Sequence, residues 1–134
     1  MADSAPPDVH FPLQEFLGFT IEKGEGAAVA RLTLDERHMN PHAIANGAVA
    51  FALMDTAMGA AAMTAIDEES WSTTIEMQIR YHRPAFSGEL RAEANVLSAG
   101  KRVIHLEAKT FDAEGRLVAS ATGGFARIPR PDLG

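Results

Sequence analysis

Hydrophobic spacing divides the chain into a lead-in without pattern, two strand-like runs, one long apolar segment and a strand-like second half. Residues 1–12 contain Pro6, Pro7 and Pro12 and read as a disordered lead-in to a single domain spanning 13–130. Leu13, Phe16 and Leu17 share one helical face, which predicts a short amphipathic helix stopping at Gly18. Phe19–Lys23 and Ala27–Leu34 predict two strands, joined at Gly24-Glu25-Gly26 as a hairpin.

Gly47 to Ile66 is apolar almost all round, through Val49, Phe51, Leu53, Met54, Ala57, Met58 and Met63. A helix of this kind has to be surrounded by protein, and its many alanines let other backbones come close. Asp55, Thr56 and Thr64 interrupt the run, so a buried helix in a soluble domain is expected rather than a membrane span. Thr73–His82 then alternates, with Ile75, Met77, Ile79 and Tyr81 on one face. Gly88–Leu97, Arg102–Phe111 and Arg116–Ile128 are further strand-like runs, separated by turns at Ala99-Gly100-Lys101 and Asp112-Ala113-Glu114-Gly115. Two strands, one helix and four strands predict an α+β fold in which an antiparallel sheet wraps around one long central helix.

Composition narrows the chemistry. There is no cysteine, so disulfides, a thiol nucleophile and a cysteine-based metal site are excluded. The 5 histidines show no metal-ligand spacing, and neither a metal nor another cofactor is expected. A net charge of −6 argues against a nucleic-acid partner but leaves room for an anionic small ligand held by local cations. Met1–Val9 has neither a basic head nor an apolar run, so a cytoplasmic location is expected.

Asp55 stands out. It is the sole formally charged residue between His38 and Asp67, in the middle of a segment predicted to be buried. An unpaired carboxylate there is costly. It is either held by a neighbouring Thr or Arg for structural reasons or placed for chemistry.

Asn40-Pro41-His42-Ala43-Ile44-Ala45-Asn46-Gly47-Ala48, followed by Leu53-Met54-Asp55, resembles the signature of the hotdog-fold acyl-CoA thioesterases of the PaaI type. Ile79-Arg80-Tyr81-His82-Arg83-Pro84-Ala85 is similar to the family's strand end, and Gly100-Lys101-Arg102 with Asp112-x-x-Gly115-x-Leu117-Val118-Ala119 to its last hairpin. The likeness covers roughly residues 13–128. Asn40, Pro41, Gly47 and Asp55 fall in register; Asn46 replaces the family's His, while Ala43 and Ala48 replace glycines.

The resemblance implies hydrolysis of an acyl-CoA, aryl-acetyl or medium-chain, to carboxylate and CoA. Asp55 would serve as general base or as nucleophile. Backbone N–H groups at Asn46-Gly47-Ala48 would receive the oxyanion, Gly47 allowing close approach of the carbonyl; alternatively Asn46 is an ordinary N-cap. Asn40 would bond the thioester carbonyl or the attacking water, or simply make an Asn-Pro turn. Thr74 would orient the water, unless it is there for strand propensity. Arg83, Lys101 and Arg102 are candidates for the CoA phosphates, or solvated surface cations. Phe51, Met54 and Met58 would line the acyl pocket or belong to the core. His38 and His42 read as surface residues near the site.

Eight residues separate Gly47 from Asp55, about 12 Å along a helix. Both can serve one thioester only if they come from different chains, so a homodimer with shared sites is expected, and the resemblance adds a tetramer. A non-catalytic acyl-CoA-binding module is the alternative, favoured by the replaced His and glycines. An enoyl thioester hydratase is a further one, disfavoured because no His lies in the helix.

Overall fold

The computed structural model describes residues 10–132, so the part of the expected lead-in before residue 10 lies outside the described residues. Helix α1 (Pro12–Leu17) opens on Pro12, whose missing N–H costs nothing in a first turn. It closes at Gly18, whose left-handed φ of 81° lets its N–H reach the Gln14 carbonyl at 2.7 Å. Its apolar face is not a buried one: Leu17 packs on the core, while Leu13 and Phe16 are 47% and 69% exposed. Hydrogen bonds hold α1 in place, from Gln14 Nε2 to the Phe19 carbonyl and from an Arg37 guanidinium nitrogen to the Phe16 carbonyl.

Strands β1 (Phe19–Gly24) and β2 (Ala27–Thr33) form the expected hairpin. After a 3₁₀ turn at Glu36–His38 and a compact loop comes helix α2 (Gly47–Thr64). Strands β3 (Ser70–Tyr81), β4 (Glu89–Ala99), β5 (Val103–Phe111) and β6 (Leu117–Pro129) complete one antiparallel sheet in the order β1-β2-β4-β5-β6-β3. This is the architecture expected from the sequence. Inward-facing residues at period two (Ala28, Ala30 and Leu32; Leu90, Ala92 and Ala94; Ile104, Leu106 and Ala108) close over one side of α2. Leu53, Met54, Ala57, Met58, Ala61 and Ala62 of the helix meet them with no more than traces of exposure.

The helix is not enclosed on every side. Phe51 and Met63 are exposed, and Asp55, Thr56, Gly59 and Ala60 are half-buried. Their three- and four-residue spacing makes one stripe that the described residues leave open between the edge strands β1 and β3. By length and composition α2 is also the one helix among the described residues that could cross a membrane; the sheet packed along it fits a core helix.

Two local features differ from the sequence reading. Strand β3 has a bulge between Thr74 and Glu76, so Ile75 is extra, points away and is 57% exposed. Before the bulge Ser72 and Thr74 face the helix; after it Met77, Ile79 and Tyr81 do. His38, expected at the surface, is 1% exposed. Its Nδ1 accepts from the Asp35 N–H at 2.9 Å and its Nε2 lies 2.8 Å from the Leu17 carbonyl, so it pins the 3₁₀ turn to the end of α1.

Candidate active site

The loop leading into α2 is organised by Asn40. Its Oδ1 accepts from the N–H groups of His42 at 2.9 Å and Ile44 at 3.2 Å, while its own carbonyl accepts from Ala43 at 3.0 Å. That is the turn role. The side-chain amide remains the end able to donate to a ligand. The turn forces Ala43 to φ 60°, left-handed space that costs an alanine but not a glycine. The backbone of Ala45 then bonds to Ala85, and that of Asn46 to His38, which fixes where the helix begins.

At that beginning Asn46 is an N-cap, its Oδ1 accepting from the Ala48 N–H at 2.9 Å. The cap removes Ala48 from the expected oxyanion donors. Among the described residues the Gly47 N–H has no partner, and it sits at the positive end of the helix dipole. The reason for glycine differs from the expected one. A Cβ on Gly47 would lie 3.0 Å from the Tyr81 ring, so protein fills the space expected to admit a ligand. The Tyr81 hydroxyl donates to the Gly47 carbonyl at 2.5 Å; the residue is half exposed, and the partial desolvation of its hydroxyl raises its pKa above the usual tyrosine value. Sequence reasoning passed over Tyr81 as one inward strand residue among several; the aligned Tyr-x-Arg-Pro-Ala end of β3 was the available signal.

Two turns further on, Asp55 Oδ1 accepts from the Thr74 hydroxyl at 2.7 Å. The bulge at Ile75 brings this pair together; with regular alternation Thr74 would share its face with outward-pointing Glu76. Thr74 therefore orients the carboxylate itself. Asp55 is half-buried on the open stripe, not sealed in the core.

Each group opens into its own cavity. Asp55, Thr74, Ser72, Ile21, Met63 and Phe125 line one of about 530 Å³. Gly47, Asn46, Tyr81, Arg83 and Ala85 border a second of about 410 Å³. Met54 and Met58, expected along the acyl pocket, are core residues with no exposure, and Phe51 lies on the open stripe outside both cavities. Ala60, Met63, Phe125, Ile21 and Phe11 provide the apolar wall beside Asp55 instead.

The three candidate CoA cations are not assembled within one chain. Arg83 lies beside the start of β6, where its N–H reaches Val118, and the Arg102 carbonyl accepts from Arg127 near the end of that strand. Nine strand residues, about 30 Å, separate these two points. Among the described residues no group of three His, Cys, Asp or Glu side chains could hold a metal ion.

Residues 42–119 match the thioesterase superfamily. The proofreading thioesterase EntH of Klebsiella pneumoniae is 27% identical, over 75% of this chain and 74% of that protein. A conserved protein of Pseudomonas aeruginosa of solved structure is 32% identical, covers 92% of this chain and 100% of its own, and superposes with a TM-score of 0.85. The PaaI protein of the Escherichia coli phenylacetic acid degradation operon is 28% identical, with coverage of 87% and 83% and a TM-score of 0.80. With its sheet wrapped around one helix and a half-buried carboxylate at mid-helix, the chain belongs to the thioesterase superfamily, as a thioester hydrolase of the hotdog fold.

Proposed function

We propose that the protein hydrolyses an acyl-CoA thioester, with Asp55 as general base or nucleophile and the Gly47 N–H of the partner subunit as oxyanion donor. The observation that carries this reading is the Thr74–Asp55 hydrogen bond on an open apolar stripe, in a cavity separate from the one at Gly47. A carboxylate held by a hydroxyl beside an apolar cavity can activate water or attack a carbonyl next to a docked acyl group. The Gly47 N–H, without a partner among the described residues, borders the other cavity and is the oxyanion donor in this reading.

A two-fold homodimer supplies what each chain lacks. β3 is a twelve-residue edge strand whose outer backbone groups are unpaired. Antiparallel pairing of two such edges turns the Tyr81 end of one chain towards the Ser70 end of its partner. The same operation carries Arg83 of one chain towards Lys101 and Arg102 of the partner subunit, so the cations separated within a chain could share one CoA. We further expect two dimers to associate into a tetramer.

The test is thiol release from a panel of aryl- and fatty-acyl-CoAs, wild type beside Asp55→Ala. Turnover by the wild type and a loss of at least about a hundredfold in the folded variant is the expected result. Binding of acyl-CoA without thiol release, unaltered in Asp55→Ala, would replace this reading with that of a binding module.

A further inference from the structure

The Asp55 cavity has a cation at its other end. β1 alternates between faces, with Phe19 buried, Ile21 and Lys23 half-buried, and Thr20, Glu22 and Gly24 exposed. Lys23 therefore occupies an inward position, where an apolar residue would extend the core, and it lines the same cavity as Asp55. The other charges on the strands themselves are engaged, Arg31 reaching Glu22 at 3.3 Å and Glu89 at 3.1 Å, while Glu25 sits in the exposed turn. Lys23 has no ion pair among the described residues, and Asp55 is not within ion-pair distance of it.

The hairpin is fixed along the helix. The Gly26 N–H donates to Thr64 Oγ1 at 2.8 Å, which holds the β1–β2 turn over the C-terminal end of α2. Lys23, three residues before Gly26, thus lies towards the helix end while Asp55 lies at its middle. From Asp55 to Met63, both lining the cavity, is about 12 Å along the axis. Between these poles Ala60, Met63, Ile21, Phe11 and Phe125 make the larger, apolar part of the wall, and Ser72, whose hydroxyl is turned to the Gly59 carbonyl, is a polar member of it. A carboxylate at one end, a mainly apolar middle and an ammonium without an ion pair at the other describe a site for a chain that is anionic at its far end.

We propose that the preferred acyl group carries a terminal carboxylate, so that the substrate is the monothioester of a medium-length dicarboxylic acid and Lys23 is the residue that selects it. This rests on the thioesterase reading above and specifies its acyl group. Asp55 would face the thioester carbonyl, the methylene chain would follow the apolar wall, and the free carboxylate would pair with Lys23. A spacer of roughly four to six carbons spans the gap once the lysine stem reaches back along the cavity. An alkyl chain of the same length would lie against the half-buried ammonium without pairing it, which disfavours it.

Adipyl-CoA and hexanoyl-CoA have equal chain lengths and differ at the terminus, so the CoA portion cancels in the comparison. The wild type is expected to favour adipyl-CoA in kcat/KM by about tenfold or more. Lys23→Met should abolish that preference through loss on adipyl-CoA alone, and Lys23→Arg should retain it. Equal rates on the two substrates, a wild-type preference for hexanoyl-CoA, or equal losses on both in a folded Lys23→Met would overturn the assignment. Hydrolysis of other acyl-CoAs but neither of these would overturn it and leave the thioesterase reading intact. If no acyl-CoA of any kind is hydrolysed, the underlying reading fails as well.

Discussion

The two ends of the candidate chemistry on α2 are built in opposite ways. At the N-terminus the chain finishes its own structure: Asn46 caps Ala48, the Tyr81 ring fills the space beside Gly47, and the Tyr81 hydroxyl ties down the Gly47 carbonyl. What remains among the described residues is the Gly47 N–H, without a partner at the border of its cavity. At mid-helix the chain leaves its work open, with Asp55 held by the Thr74 hydroxyl on a stripe that none of the described residues covers. A rigid donor and an orientable carboxylate are complementary halves of an acyl-transfer site. The helix holds them about 12 Å apart, which is the reason for proposing that the two halves of one site come from different chains.

The comparison breaks most sharply in mixed dimers. Asp55→Ala removes one half, and Gly47→Ala obstructs the other by driving a Cβ to 3.0 Å from Tyr81. Each variant alone should be inactive. Refolded together in equal amounts, they should recover about a quarter of the wild-type thiol release, because half the dimers are mixed and one of the two sites in each is intact. If mixing restores nothing although mixed dimers form, each site is built within a single chain.

Thr74 comes next in expected size. Replacing it with Val keeps the volume but removes the bond to Asp55, and should lower kcat by about ten- to a hundredfold with little change in melting temperature. Thr74→Ser should keep most of the rate. A rate in Thr74→Val equal to wild type would show that Asp55 needs no holding.

Tyr81→Phe tests the finished end. Losing the hydroxyl bond to the Gly47 carbonyl should cost about 1 kcal/mol of stability at neutral pH and loosen the first turn, slowing thiol release several-fold. The pH dependence follows from the raised pKa of Tyr81, which burial causes. Between the unfolded value of 10.0 and the higher folded one, the native state binds the extra proton. The contribution is therefore complete below pH 10.0 and declines as pH rises through the folded value. Parallel denaturation of wild type and Tyr81→Phe should show the gap narrowing only above pH 10.0.

These two ends also differ in how well the sequence could be read. The fold was legible because its signals are periodic: alternation in β2, β4 and β5, and an alanine-rich run, apolar nearly all round but interrupted by Asp55, Thr56 and Thr64, that fits a core helix. Asp55 was legible because charge in such a run demands a reason. The bulge at Ile75 was not, since Ile75 continues a perfect alternation with Met77 and Ile79 and only the pairing with β6 shows it to be extra. Thr74 was therefore identified by resemblance, while its contact with Asp55 depends on a register that no local pattern encodes. The open stripe was equally hidden. Alanine and glycine look the same on a covered face and an uncovered one, and Met54 and Met63 differ in exposure but not in type.

Ala43 carries the smallest predicted effect and shows what the finished end costs. The family pattern has glycine there, and the turn holds this alanine at φ 60°. Left-handed backbone costs a non-glycine residue about 1–2 kcal/mol, while glycine gives back roughly 0.4–1 kcal/mol through the greater freedom of the unfolded chain. Ala43→Gly should therefore stabilise the protein by about 0.5–1 kcal/mol in denaturant titration. Thiol release should stay as it was, because the hydrogen bonds of Asn40, Ala45 and Asn46 fix the start of α2 whatever side chain residue 43 carries. A stable variant with a reduced rate would mean that strain in this turn helps to aim the Gly47 N–H. A destabilised one would mean that the Ala43 methyl makes contacts worth more than the strain it introduces.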